Sequence, residues 1–308
     1  MRTRHGSVRS RDGTRIAFHT IGNGSPIFCC NGLGVSTYFW QSLAAAFSAR
    51  HRVVCWDYRG HGRSAAPPRP TTATLHHLVE DGLAVIEHLD LREVTGVGHS
   101  IGFQILLHLY GTAPARFSHL VSFLGVAAHP LTTFYDSAWS RAGFDLLYLV
   151  ATYYPRAVAY GFSLLHNSAF FYALAGQLGI IDPTKACKRE IARYLSHVAD
   201  RDPQLFVALL QGAEAAPADH VCAEVAVPTL LIAAEADRFI PLHVIEAMHR
   251  QIGTSRLVVI PQGSHAALME TPAFFNDRLA AFLRDHAVVS GRTERVPADR
   301  SATIRSPA

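Results

Sequence analysis

Gly98-His99-Ser100-Ile101-Gly102 lies between the apolar run Val94-Thr95-Gly96-Val97 and a segment carrying Ile105, Leu106, Leu107 and Leu109. The run reads as a short buried strand, and the segment suits the buried side of a helix. A serine between two glycines at a strand-to-helix junction makes a nucleophile elbow, a turn so tight that only small residues fit around it. Such a turn holds the Ser100 hydroxyl clear of the sheet, above the helix N-terminus. There, backbone N–H groups and the helix dipole can stabilise a developing oxyanion.

Upstream of the elbow, Asp12-Gly13 predicts a hairpin turn between two short strands, the second over residues 14–20 with Ile16 and Phe18 on one face. Residues 1–7 are expected to be unstructured. The continuous apolar runs Ile27-Phe28-Cys29-Cys30 and Val53-Val54-Cys55-Trp56 predict strands buried on both faces. Residues 38–47 suit a helix, and Leu75, Leu78, Val79, Leu83, Ile86 and Leu89 mark another over residues 74–89. After the elbow helix, residues 120–124 predict a strand. Alternation of this kind implies a mostly parallel, doubly wound α/β sheet.

The alternation stops near Val126 and resumes at Pro228. Residues 230–233 and 257–260 then read as strands, Pro241 opens a helix, and Thr271-Pro272 starts the last one. The expected organisation is a discontinuous core over residues 1–126 and 223–287, an all-helical cap over 127–222, and a disordered tail over 288–308. The cap holds 14 of the chain's 30 aromatic residues, some of which must form its own small core.

Hydrophobic residues make up 49% of the 308 residues and charged ones 17%, a globular composition. The formal charge of +4 sits largely in arginines near the two ends, with no basic helix to suggest nucleic acid. Five cysteines, three of them in expected core strands, point to reduced thiols and a cytoplasmic setting. No apolar leader stands at the N-terminus. Residues 157–181 carry no charged side chain and could span a bilayer by length. His166-Asn167-Ser168 and three glycines interrupt them, so two short helices in an apolar lid are expected and no stable membrane insertion.

A serine hydroxyl needs a base to take its proton, and that base needs a partner to hold its tautomer. The chain offers 18 histidines, but functional residues of a parallel sheet gather beyond the carboxyl ends of its strands. His265 follows the strand at 257–260, and Asp237 follows the strand at 230–233. The order Ser100, Asp237, His265 is the one this kind of fold uses. Glu235 is the rival acid; Asp237 could instead cap a helix, and His265 could be an ordinary loop residue. Oxyanion donors are expected from the amides of Ile101 and of Leu33, in the glycine-rich loop Asn31-Gly32-Leu33-Gly34. Gly32, Gly34, His99, Val126, Trp139 and Phe239 are the candidate pocket residues. No phosphate-binding motif or metal-ligand cluster is apparent, so neither cofactor nor metal is expected.

With these residues in place, the chain resembles a serine hydrolase of the α/β-hydrolase superfamily over roughly residues 8–126 and 223–287. Asp57-Tyr58-Arg59-Gly60-His61-Gly62-Arg63-Ser64 is similar to the family's D-x-R-G-x-G-x-S loop, and residues 234–241 resemble its acid loop. The resemblance implies a structural role for His61. It also sets the chain apart from dehalogenases and epoxide hydrolases, whose nucleophile is a carboxylate. Two departures stand out. Asn31-Gly32 replaces the common His-Gly, a form similar to lactone-opening members. Phe103 replaces a small residue after the elbow and is expected to pack against the sheet. The expected activity is hydrolysis of carboxylic esters of apolar, medium-sized substrates through an acyl-enzyme on Ser100, with lactones as an alternative. Thioesterase, C–C hydrolase, acyltransferase and slow ligand-receptor readings remain open, because the triad sees only the carbonyl. The oligomeric state is left undecided.

Overall fold

The computed structural model describes residues 3–165, 169–177, 179–185, 187–199 and 201–287. An eight-stranded sheet runs through its centre in the order β1-β2-β4-β3-β5-β6-β7-β8. The strands are β1 (Thr3–Arg9), β2 (Arg15–Ile21), β3 (Ser25–Cys30), β4 (His51–Trp56), β5 (Val94–His99), β6 (Phe117–Phe123), β7 (Thr229–Ala234) and β8 (Ser255–Ile260). The β1–β2 and β2–β4 pairs are antiparallel, and every other pair is parallel. The expected α/β architecture is therefore the one observed.

The N-terminal expectation needs correction. Residues 3–7 form most of β1, in register with β2 from Thr3↔Ile21 to Arg9↔Arg15. Hydrogen bonds of the hairpin ladder hold this strand. Its side chains are exposed or half-buried throughout, so it carries no apolar pattern to read.

Around the sheet lie the 3-10 turn Thr37–Trp40 and helices α1 (Gln41–Phe47), α2 (Leu75–His88) and α3 (Ile101–Thr112). Between β6 and β7 come α4 (Pro130–Thr133), α5 (Ala138–Tyr153), α6 (Pro155–Leu165), α7 (Ala169–Gln177), α8 (Lys188–Ala199), α9 (Pro203–Ala215) and α10 (Asp219–Cys222). The chain closes with α11 (Leu242–Gln251), α12 (Ala267–Glu270) and α13 (Pro272–Ala287). Every described element between β6 and β7 is helical. The His166-Asn167-Ser168 interruption and the tail at 288–308 lie outside the described residues. Among those described, no helix is long and apolar enough to cross a membrane.

Alternate residues of each central strand feed two apolar layers, as the pleat requires. Phe28, Val54 and Trp56 face α2 and α3, while Ile27, Cys29, Val53 and Cys55 face α1 and α13. Phe103 is buried in the first layer, as expected. The insertion has its own small core, in which Phe144 and Ala151 of α5 pack with Leu131 and Val207.

Candidate active site

β5 ends at His99 and α3 begins at Ile101, leaving Ser100 alone between them with φ 55° and ψ −128°. That conformation is strained for any residue but glycine and persists only where its surroundings enforce it. Here they do. The Ser100 N–H donates to the Phe123 carbonyl (3.2 Å), and its own carbonyl accepts from Phe103 N–H (3.1 Å) and Val126 N–H (3.3 Å). Both flanking glycines are required by packing. A Cβ at Gly98 would come within 2.6 Å of the Phe103 backbone, and one at Gly102 would run into the carbonyl oxygens of Cys30 and Asn31.

Asp237 and His265 stand on the loops after β7 and β8, and the fold brings them into contact. Asp237 Oδ2 lies 2.8 Å from His265 Nδ1. Its other oxygen accepts two backbone N–H bonds, from Phe239 (2.8 Å) and Ile240 (2.9 Å). The side chain is fully buried, so this carboxylate has one orientation. Glu235, the rival acid, is turned away and accepts from the Gln262 backbone and side-chain N–H groups at 3.0 and 3.1 Å.

The imidazole of His265 is enclosed by rings. Phe239 stacks on it at 5.0 Å, and His99 lies 5.4 Å away on another side. Phe134 from the insertion packs edge-on against Phe239 at 4.3 Å. Phe39 packs on His99 at 4.7 Å. Burial, with the His265 ring beside it, holds His99 well below the usual imidazole range, so it stays neutral.

The candidate oxyanion loop is anchored from below. The Asn31 side chain is buried, donates to the Trp56 carbonyl (2.9 Å) and accepts from the Trp40 indole (2.5 Å), while the Asn31 carbonyl accepts from Tyr58 (2.6 Å). Asn31 is thus a fastener. Gly32 borders the site directly: a Cβ there would lie 2.7 Å from His99 Nδ1 and 3.5 Å from Ser100 Cβ. Gly34 has φ 81°, a left-handed turn that lets the loop reverse. Among the described residues, neither the Leu33 nor the Ile101 amide donates a hydrogen bond within the chain.

Gly32, His99, Val126 and Phe239 therefore gather around Ser100 and His265. Trp139 does not join them: it is 85% exposed, and no described ring contact links it to the cluster. An aromatic residue in an apolar segment reveals its burial only through the helix face it occupies. Phe39 and Phe134 are the neighbours that sequence reasoning missed; Phe39 lies in a stretch legible only as helical.

The loop at 57–64 supports the site from a distance. Asp57 accepts N–H bonds from Thr37 and Arg63, both 3.0 Å, tying this loop to the turn that carries Phe39. Arg59 grips Asp81 with two bonds, 2.9 and 2.6 Å, in the core. His61 is buried, bonds the Arg59 carbonyl through Nδ1 (3.0 Å), and is pushed down by burial to about 4. That is a structural histidine. A cavity of about 790 Å³ lies apart from the cluster, bounded by His5, His19, Tyr38, Arg63 and Arg193. No group of three or more metal-ligating side chains occurs among the described residues.

A family model described as alpha/beta hydrolase fold matches residues 25–272. The chain belongs to the α/β-hydrolase family. Among its relatives is "Putative carbamate hydrolase RutD" of Azorhizobium caulinodans, 28% identical over 278 residues, covering 87% of this chain and 94% of that one. An esterase from Exiguobacterium antarcticum superposes with a TM-score of 0.74 at 20% identity, over 90% of this chain and 98% of its own. An enol-lactonase from Burkholderia xenovorans does so at 0.71 and 19%, over 91% and 100%. At such identities the structures establish a shared α/β-hydrolase fold, and the family as a whole supports hydrolase activity for the chain.

Proposed function

We propose that this hydrolase is a serine enzyme cleaving carboxylic esters of medium-sized apolar substrates. The observation that supports the reading is the Asp237–His265 pair at 2.8 Å, whose imidazole lies 5.4 Å from the ring of His99, the residue before a serine whose backbone is held in a strained turn. In the first step the Ser100 Oγ attacks the ester carbonyl and His265 Nε2 takes its proton. The C–O bond to the alcohol then breaks, and that proton goes to the leaving alkoxide. A water, deprotonated by the same nitrogen, attacks the acyl-enzyme, releases the acid and returns the hydrogen to Ser100. Asp237 stabilises the imidazolium and fixes the tautomer with Nδ1–H toward itself. The Leu33 and Ile101 amides, unpaired among the described residues, receive the carbonyl oxygen as it becomes negative.

Residues 127–222 serve as the cap in this reading. Phe134 reaches the Phe239–His265 stack from the insertion, and the site's walls are aromatic. Apolar acyl or alkyl groups should be preferred to acetate or charged ones. The free, buried thiols of Cys29, Cys30, Cys55 and Cys222 support a cytoplasmic setting. A second reading has an observation of its own: several relatives covering nearly their whole length bear the name carbamate hydrolase. The same serine can attack a carbamate carbonyl.

The test is kcat/KM over p-nitrophenyl esters from acetate to laurate, beside the matching p-nitrophenyl carbamates. Each buried methylene should add up to about 0.8 kcal/mol, nearly a factor of four, until the pocket is full. A profile highest at acetate would reject the apolar pocket. Faster turnover of carbamates than of esters would favour the second reading.

A further inference from the structure

Helix α5 is apolar on two opposite faces. One face packs inward through Phe144, Leu147, Tyr148 and Ala151 onto the insertion's small core. At 100° per residue, Trp139, Ala142, Gly143, Leu146, Leu149, Val150 and Tyr153 fall on the other side, within an arc of roughly 120°. That second stripe faces solvent: Trp139, Leu146 and Tyr153 are 85%, 62% and 70% exposed. The helix's charged residues, Arg141 and Asp145, lie outside the stripe and pair with each other at 3.2 Å. A helix that is apolar nearly all round is normally buried all round.

The order of sizes along the stripe identifies what covers it. A two-fold axis placed at Leu146 sets two antiparallel copies of α5 against each other. Leu146 then meets Leu146, Trp139 of one copy meets Tyr153 of the other, Ala142 meets Leu149, and Gly143 meets Val150. Large faces small in the middle, where a Cβ added at Gly143 would find nothing within 4 Å. Aromatic faces aromatic at both ends. This is the self-complementarity that an isologous interface requires, each residue's partner reciprocating. Tyr154 at the end of α5 and Tyr160 on α6 are exposed as well. With Leu149, 53% exposed, the stripe's four large side chains offer an area on the order of 600 Å², at the lower end of what one partner contributes to a stable dimer of standard size.

We infer that the chain forms a homodimer through the outer face of α5, with the two-fold axis at Leu146. The site of one copy and that of the other remain separate; the contact joins the two insertions.

Sedimentation velocity of the full chain at micromolar concentration reads the state directly. The wild type should sediment at twice the chain mass. Leu146→Glu, which places two carboxylates on the axis, should sediment at one chain mass. Val259→Glu, at another exposed apolar site, on β8, should remain dimeric. Leu146→Cys in a Cys187→Ser background should give a covalent dimer when oxidised glutathione takes the two electrons and two protons of the thiols. Arg250→Cys on α11 should not. A monomeric wild type, a Leu146→Glu variant that stays dimeric, or a Leu146→Cys variant that does not cross-link would each overturn the proposal. Flotation of a monomeric wild type with anionic liposomes would overturn it too, assigning the stripe to a lipid surface.

Discussion

Replacing Asp237 by asparagine removes a charge, but the structure says which way the new amide must point. Asp237 Oδ1 accepts two backbone N–H bonds and Oδ2 one imidazole N–H. The asparagine carbonyl oxygen therefore keeps the place opposite Phe239 and Ile240, since turning the amide there would set one donor group against two others. Its NH2 then faces His265 Nδ1 and can only donate. His265 must accept at Nδ1 and carry its proton on Nε2, the nitrogen that should take one from Ser100. The base is blocked by the tautomer as well as weakened by the lost charge. The expected loss in kcat is about four orders of magnitude, or roughly 5.5 kcal/mol of transition-state stabilisation. Asp237→Ala leaves the ring free to choose its tautomer and should lose less than the asparagine variant. Glu235→Gln disturbs only the Gln262 contacts and should stay within about tenfold of wild type. The assay is kcat and kcat/KM for p-nitrophenyl butyrate, with thermal melts confirming that each variant is folded. An asparagine variant within about tenfold of wild type, or one more active than the alanine variant, would refute the argument.

Ser100→Ala should lower turnover by roughly five to six orders of magnitude and abolish labelling by a fluorophosphonate that modifies the wild type; full labelling of the variant would point to another serine. Gly102→Ala should destabilise the chain by at least about 2 kcal/mol, because its methyl group meets two backbone oxygens that cannot move apart cheaply. A melting temperature unchanged within a degree or so would show that the elbow has slack. His61 is buried and pushed down to about 4 from an ordinary value near 6.5, so the unfolded chain binds the proton more readily than the folded one. Its contribution is complete above about pH 6.5 and is lost as pH falls toward 4, by up to about 3 kcal/mol. His61→Asn should flatten that part of the stability–pH curve in urea titrations, and an unchanged slope would contradict the assignment.

What the sequence disclosed and what it withheld divide along physical lines. Strands buried on both faces announce themselves as apolar runs, so β3, β4, β5 and β7 were legible, and with them the loops that carry Ser100, Asp237 and His265. The nearness of those loops followed from the topology of a parallel sheet. The hairpin around Asp12-Gly13 is legible, but the reach of β1 back to Thr3 is not, because backbone ladder bonds hold it and these leave no trace in side-chain pattern. Trp139 was placed in the pocket because composition counts aromatic residues without saying which way they point. The same blindness hid Phe39, whose ring reaches His99 from a turn that looked like the start of a helix.

β6 lies inside the finished sheet, yet it is an edge while the chain is being made. Its partner β7, in register from Leu120↔Thr229 to Phe123↔Ile232, is separated from it by the whole of residues 124–228. At ordinary rates of translation that interval takes on the order of ten seconds. Through it, a sheet ending in Leu120, Val121 and Phe123 offers bare backbone N–H and C=O groups to any neighbouring strand. Ser100 is also synthesised long before Asp237 and His265. An emerging chain thus holds the elbow without its proposed partners, and it stays most prone to sticking until β7 arrives to close the edge and bring Asp237 with it.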